Sequence, residues 1–323
     1  MRTTTLGSRG PEIGVIGLGC MGMTFADDMA TPWDDETSIA VVRRALDLGM
    51  TLVDTADVDG RSPNEELVGR ALVGGYRERA VLATTVGLLD RGSVTATTPR
   101  TAHDGSPEHV RRSIDDSLRR LGSDHVDLYQ LHRIDPGVPL EETWGAMAQT
   151  VAAGKARTIG LSEASVEEIR RAQSVHPVTS VRSELSLWTR GPLAAVLPYC
   201  QRQGIALLAL SPLGRGFLGG RFATLDDLPG DDVRRRLPRL QGDALRVDLG
   251  ILDRVQRVAT RVAATPAQVA LAWVLAQGRY VVPVPGTRTP RYLDDNAGAA
   301  DVRLSSTDLA ELDTVPVPQG ERY

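Results

Sequence analysis

Three residues of this chain stand where side chains could trade protons. Asp54 closes the apolar run TLVD, Asp59 follows it in the stretch DTADVDG, and His132 closes VDLYQLH. If the fold brings two carboxyl groups into one pocket they do not both ionise cheaply, and one would keep its proton to higher pH. With an imidazole they form an acid/base set that could move protons on a small molecule. Anion binding has one candidate of its own: Arg288 in PGTRTPRYLDDN (residues 285–296) stands at a helix start, a place suited to phosphate. VIGLGCMGMT contains G-x-G-x-x-G, but FADD follows it instead of an immediate helix, which weakens it as a dinucleotide loop. Cys20 and Cys200 form no CxxC or ligand-spaced pair. They read as free thiols of a reducing cytoplasm, and no metal site is expected.

These residues need a scaffold, and the chain supplies a regular one. Short apolar runs at 51–54, 80–84, 126–132, 157–161, 178–184, 205–210 and 280–284 read as strands, with a first strand at 15–18. Helical patterns lie between them at 38–48, 64–72, 107–121, 140–152, 166–172 and 266–277. Strand–helix alternation repeated about eight times predicts a parallel sheet with crossover helices. Its regularity favours closure into a single α/β barrel of the (β/α)8, or TIM barrel, type. No Gly/Ser or Pro linker divides the chain, so residues 1–323 are expected to form one domain. The longest irregular stretch, 214–248, would be a loop over the C-terminal rim, where barrels carry their sites.

Composition narrows the function classes. The chain has 323 residues, 41% hydrophobic and 24% charged, with a formal net charge of −4 and no block of like charge. That argues against nucleic acid or an anionic membrane as partner and for a small-molecule substrate. No apolar run reaches the ~18 residues a spanning helix needs, and MRTTTLGSRG lacks the apolar centre of a signal peptide. Lys155 is the only lysine.

In family order and spacing, VIGLGCMGMT, TLVDTADVDGRSPNEELVGRAL, DHVDLYQLHRIDP, KARTIGLSEAS, SELSLWTR, LALSPLGRGFLGG, TPAQVALAWVLAQG and VPVPGTRTPRYLDDNAGAADV resemble segments of the aldo-keto reductases. The likeness spans nearly the whole chain and is nearest to bacterial members of that family. It implies a catalytic tetrad of Asp, Tyr, Lys and His at C-terminal strand ends. Asp54 matches the Asp and His132 the His, but Asp59 stands at the Tyr position and Thr85 at the Lys position. Neither Tyr129 nor Lys155 is placed to stand in. Tyr129 lies an odd number of residues from His132 and so faces the other side of its strand, and Lys155 precedes its strand at the opposite end of the barrel.

The same likeness implies a site for NADP(H). Ser162, Ser211, Leu213, Gly214, Arg215 and Gly216 match the nicotinamide and pyrophosphate side, with backbone N–H groups of the turn wrapping the pyrophosphate. Gly286, Thr287, Arg288, Asp295 and Asn296 match the segment holding the adenosine 2′-phosphate. Relatives read VQSEYSLW where this chain reads VRSELSLW, which puts Arg182 and Leu185 beside the nicotinamide and Trp188 at the substrate pocket. An Arg there either opposes the oxidised ring by Coulomb repulsion or clamps a substrate carboxylate or phosphate. With the tetrad cation gone, Asp54 is expected to lack its partner. The leading reading is therefore non-redox acid/base chemistry, a dehydration, isomerisation or cyclisation of a polar metabolite, with NADP(H) bound but not necessarily used. The alternatives are an NADP(H)-dependent carbonyl reductase with His132 or Asp59 as proton donor, and a non-catalytic nucleotide- or ligand-binding protein.

Overall fold

In the computed structural model the described residues are 1–24, 34–57, 63–90 and 101–320. Eight parallel strands form the barrel: β1 (Leu18–Gly19), β2 (Leu52–Asp54), β3 (Val81–Val86), β4 (Val126–Leu131), β5 (Ala156–Ser162), β6 (Ser180–Glu184), β7 (Ala206–Leu210) and β8 (Val281–Pro283). Each pairs with its neighbour in sequence, and the circle closes between the first and last. Gly19 bridges Gly286, and the N–H groups of Gly17 and Gly19 donate to the carbonyls of Pro283 (3.0 Å) and Pro285 (3.1 Å). The expected barrel is present. Its first strand is shorter than expected, because only Leu18 and Gly19 find ladder partners.

The crossover helices are α1 (Asp35–Asp47), α2 (Pro63–Ala71), α3 (Pro107–Leu121), α4 (Leu140–Ala152), α5 (Val166–Gln173), α6 (Val196–Gln203), α7 (Gly242–Arg261) and α8 (Pro266–Ala276), and α9 (Pro290–Gly298) and α10 (Ser306–Asp313) follow the last strand. Their ends follow local chemistry. Ser106 caps α3 through the His109 N–H (3.2 Å), Pro107 opens it and Gly122 ends it at φ 61°. Ser165 with Glu168, and Thr265 with Gln268, form capping boxes on α5 and α8. The irregular stretch expected over 214–248 ends at 241, because α7 begins at Gly242. Its Leu252, Val255, Val258 and Ala259 fall on one buried face among the exposed arginines.

Two hairpins lie outside the strand–helix alternation: Thr3–Thr5 with Glu12–Gly14, and Leu88–Asp90 with Thr101–His103. The first floors the barrel, where Leu6 and Ile13 pack against Leu52, Ala83, Leu128, Leu208 and Val282. Strand side chains alternate between faces, so two residues further along β2, β3 and β4 the same inward face carries Asp54, Thr85 and Gln130. An apolar lower layer thus gives way to a polar upper one at the C-terminal mouth. Among the described residues no single helix is long and apolar enough to cross a membrane.

Candidate functional site

Asp54 is the most buried charge of the upper layer, its side chain 3% exposed. It is not without a partner. Arg182, reaching across the barrel from β6, places Nη2 3.3 Å from Asp54 Oδ2. Arg182 Nη1 donates to Thr85 Oγ1 at 2.7 Å, and Thr85 donates in turn to the Thr55 carbonyl at 3.3 Å. The other carboxylate oxygen, Oδ1, accepts from Gln130 Nε2 at 3.0 Å. The expectation of a lone Asp54 is corrected, because β6 supplies the cation that β3 lacks. Arg182 points into the barrel, its side chain 12% exposed. One of its N–H groups is bonded to Thr85 and its charge is balanced by Asp54, which weakens its reading as a bare repulsive charge or carboxylate clamp.

Burial pushes the Asp54 carboxyl above the usual range, while Arg182 and Gln130 pull it back down. His132 follows β4, its N–H held by the Val86 carbonyl at 2.7 Å. Burial first, then the neighbouring Arg182, Arg133 and His103, push its imidazole down to about 3. A histidine so placed is neutral at ordinary pH and does not exchange a proton there. Among the described residues, His132 Nδ1, Ser162 Oγ and Arg182 Nε are buried without a hydrogen-bond partner. Ser162 and Arg182 are register partners on adjacent strands, so these atoms gather at one mouth.

Asp54, Thr85, His132, Ser162 and Arg182 thus lie at one mouth, whereas Asp59 lies outside the described residues. Tyr129 faces the helices, its hydroxyl donating to the Val110 carbonyl at 3.2 Å. Lys155 pairs with Asp115 of α3 at 2.5 Å. Neither joins Asp54 and Arg182 at the mouth. Gln130 was not foreseen, although its even spacing from His132 along one strand places it on the same inward face.

After β7 the chain makes an unusual turn. Ser211, Gly214, Arg215 and Gly216 all adopt left-handed φ, at 45°, 54°, 55° and 95°. For Ser and Arg this costs on the order of 1 kcal/mol each, and such strain gathers at ligand-holding loops. A Cβ on Gly214 would meet Trp188 Cε3 at 2.5 Å. Trp188 is buried, stacked on Phe217 with centroids 4.6 Å apart, and its indole donates to Asp248 Oδ2 at 2.5 Å. It therefore props the turn from below, with a cleft between Glu184, Ser211, Arg215 and Leu237 above it. The expected backbone cradle is partly spent. The N–H groups of Gly214 and Gly216 donate to the Ser211 (2.8 Å) and Leu213 (3.0 Å) carbonyls and close the turn on itself.

Residues 286–296 divide between fold and site. Gly286 closes the barrel against Gly19, and Asp295 accepts from Thr265 Oγ1 at the start of α8 (3.0 Å). Thr287 Oγ1 accepts from the Thr289 N–H at 3.1 Å just before α9, and Asn296 is buried within that helix. Arg288 Nη1 is buried with no partner among the described residues. An unsatisfied guanidinium donor beside a helix N-terminus fits a phosphate, and Ser162 and the left-handed turn fit the rest of a dinucleotide. Among the described residues no three His, Cys, Asp or Glu side chains gather as a metal site.

Comparison with known proteins agrees with this construction. The model of the aldo/keto reductase family matches residues 15–316. A probable aldo-keto reductase 1 of Glycine max is 43% identical over 98% of this chain and 90% of its own length. The solved glycerol dehydrogenase of Gluconobacter oxydans superposes with a TM-score of 0.87 at 28% identity, covering 97% of this chain and 94% of that one. An aldo/keto reductase of Klebsiella pneumoniae, solved with NADP and acetate, superposes with a TM-score of 0.73 at 27% identity over 100% and 99% of the two chains. Closed barrel, motif order and these likenesses agree, and the chain belongs to the aldo/keto reductase family.

Proposed function

We propose that the protein is an NADP(H)-dependent carbonyl oxidoreductase. The observation that carries this reading is the buried Asp54–Arg182 pair at 3.3 Å, which keeps a charge-balanced centre at the mouth despite the Thr at position 85. The non-redox reading started from a site stripped of its cation and needed an imidazole that titrates near neutral pH. Arg182 and the low His132 pKa of about 3 weigh against both premises. The Klebsiella relative solved with NADP supports the choice of cofactor.

Arg288 would hold the 2′-phosphate, the turn at Ser211–Gly216 the pyrophosphate, and Ser162 the nicotinamide amide. When bound, NADPH supplies the hydride for a carbonyl carbon. The chain's own residues then deal with the oxygen. Neutral His132 keeps one ring N–H and can donate a hydrogen bond to the carbonyl without giving up its proton. Arg182, its charge shared with Asp54, has an unpartnered Nε–H left to donate to that oxygen as negative charge develops there. Asp59, at the family's Tyr position, takes up a proton from water and passes it to the alkoxide, completing the alcohol and returning to carboxylate.

The test is NADPH consumption with a panel of aldehydes and ketones, run beside the Asp59→Asn and Arg182→Gln variants. We expect stoichiometric NADP+ and alcohol from the wild type and a roughly 100-fold or greater loss in each variant. Product formation by protein stripped of NADP(H) would refute the reading.

A further inference from the structure

We propose that Arg182 is the working cation of this mouth and that Thr85 makes room for it and fixes it, so that positions 85 and 182 form an exchangeable pair. Asp54 is buried and needs a counter-charge, and among the described residues Arg182 is the cation paired with it. Arg182 starts on β6 and must cross the barrel to reach β2, so its long side chain has to be held at the far end. Thr85 provides that hold. Its side chain is fully buried, takes Nη1 at 2.7 Å, and is itself anchored on the Thr55 carbonyl.

At 2.7 Å from Nη1 there is no space beyond Thr85 Oγ1 for a longer side chain while Arg182 keeps its place. A lysine there would set two cations around one carboxylate, and like charges at such range repel strongly in a buried site. A small hydroxyl at 85 therefore belongs with the arginine at 182. Thr85 is a positioning residue, whereas Arg182, with Nε still unpartnered, is the group that meets the substrate oxygen. This role in turnover rests on the reductase reading, while the pairing itself does not.

A double-variant cycle separates the two. Thr85→Lys and Arg182→Gln are each expected to lower the cofactor-free melting temperature by several degrees, the first by crowding cations and the second by stranding Asp54. Thr85→Lys with Arg182→Gln together should regain most of the loss, because a lysine then reaches Asp54 from β3. Losses that simply add would overturn the proposal. Thr85→Val, which keeps the shape, should lower kcat several-fold while NADPH affinity, read by fluorescence, stays within about threefold. Unchanged kcat in Thr85→Val, or undiminished carbonyl reduction by Arg182→Gln, would also overturn it. Rescue of melting temperature with no carbonyl reduced by any of these proteins would support the pairing and instead refute the reductase reading.

Discussion

His132 should make the protein acid-labile in a way that one substitution removes. Its imidazole falls from the ordinary 6.5 to about 3 in the fold. Between those values the unfolded chain binds a proton that the folded chain refuses, so stability is full above pH 6.5 and is lost as pH drops toward 3. The whole window of 3.5 pH units at 1.36 kcal/mol each is about 5 kcal/mol. The loss from this one group is about 0.8 kcal/mol by pH 6 and about 2 kcal/mol by pH 5, the latter hardly sensitive to where the lower value falls. Urea unfolding of wild type and His132→Asn at pH 7.5, 6 and 5 isolates it, because the carboxylates shared by both proteins cancel in the difference. The variant's disadvantage should shrink by about 2 kcal/mol between pH 7.5 and 5. Parallel stability profiles, or an imidazole NMR signal of His132 that titrates near 6.5, would refute the claim that this histidine works as a neutral donor.

Other substitutions probe the scaffold and the nucleotide side. Glu65 of α2 is fully buried and accepts from Thr84 Oγ1 at 2.6 Å and from Arg120 at 2.6 Å. Glu65→Ala should therefore cost about 3–5 kcal/mol in urea unfolding, and a cost below about 1 would show that the pair is expendable. Gly214→Ala meets both a left-handed φ and Trp188, so NADPH affinity by fluorescence titration should fall about tenfold or more, whereas wild-type affinity would show that the turn plays no part. Arg288→Ala should weaken NADPH about 10- to 100-fold and leave NADH nearly unchanged. Equal weakening of both would move Arg288 away from the 2′-phosphate.

Much of this was legible in the sequence, for identifiable reasons. Strands such as VLATTV and VDLYQL are largely apolar and lack a strict apolar/polar alternation because a parallel barrel buries both faces, and capping residues at Ser106, Ser165 and Thr265 mark helix starts. The floor hairpin was missed because TTT carries no strand alternation, and α7 because its apolar face is dispersed among arginines and aspartates. At the site, Asp54 and His132 showed as strand ends. What a linear reading misses is reach across the barrel. Position 182 looks like an altered nicotinamide contact until the strands close and bring its guanidinium to Asp54. Asp54 then changes from a stranded carboxylate into half of an ion pair, and with it changes the chemistry the mouth favours.

That chemistry is best tested by following one hydrogen atom. Purified wild-type protein, given NADPH deuterated at the nicotinamide C4 position and a reducible aldehyde, should release alcohol carrying deuterium at the former carbonyl carbon. One equivalent of NADP+ should appear per alcohol, and Arg182→Gln should slow the transfer about 100-fold. Turnover of substrate by cofactor-free protein, with no deuterium in the product when labelled NADPH is added, would contradict the account.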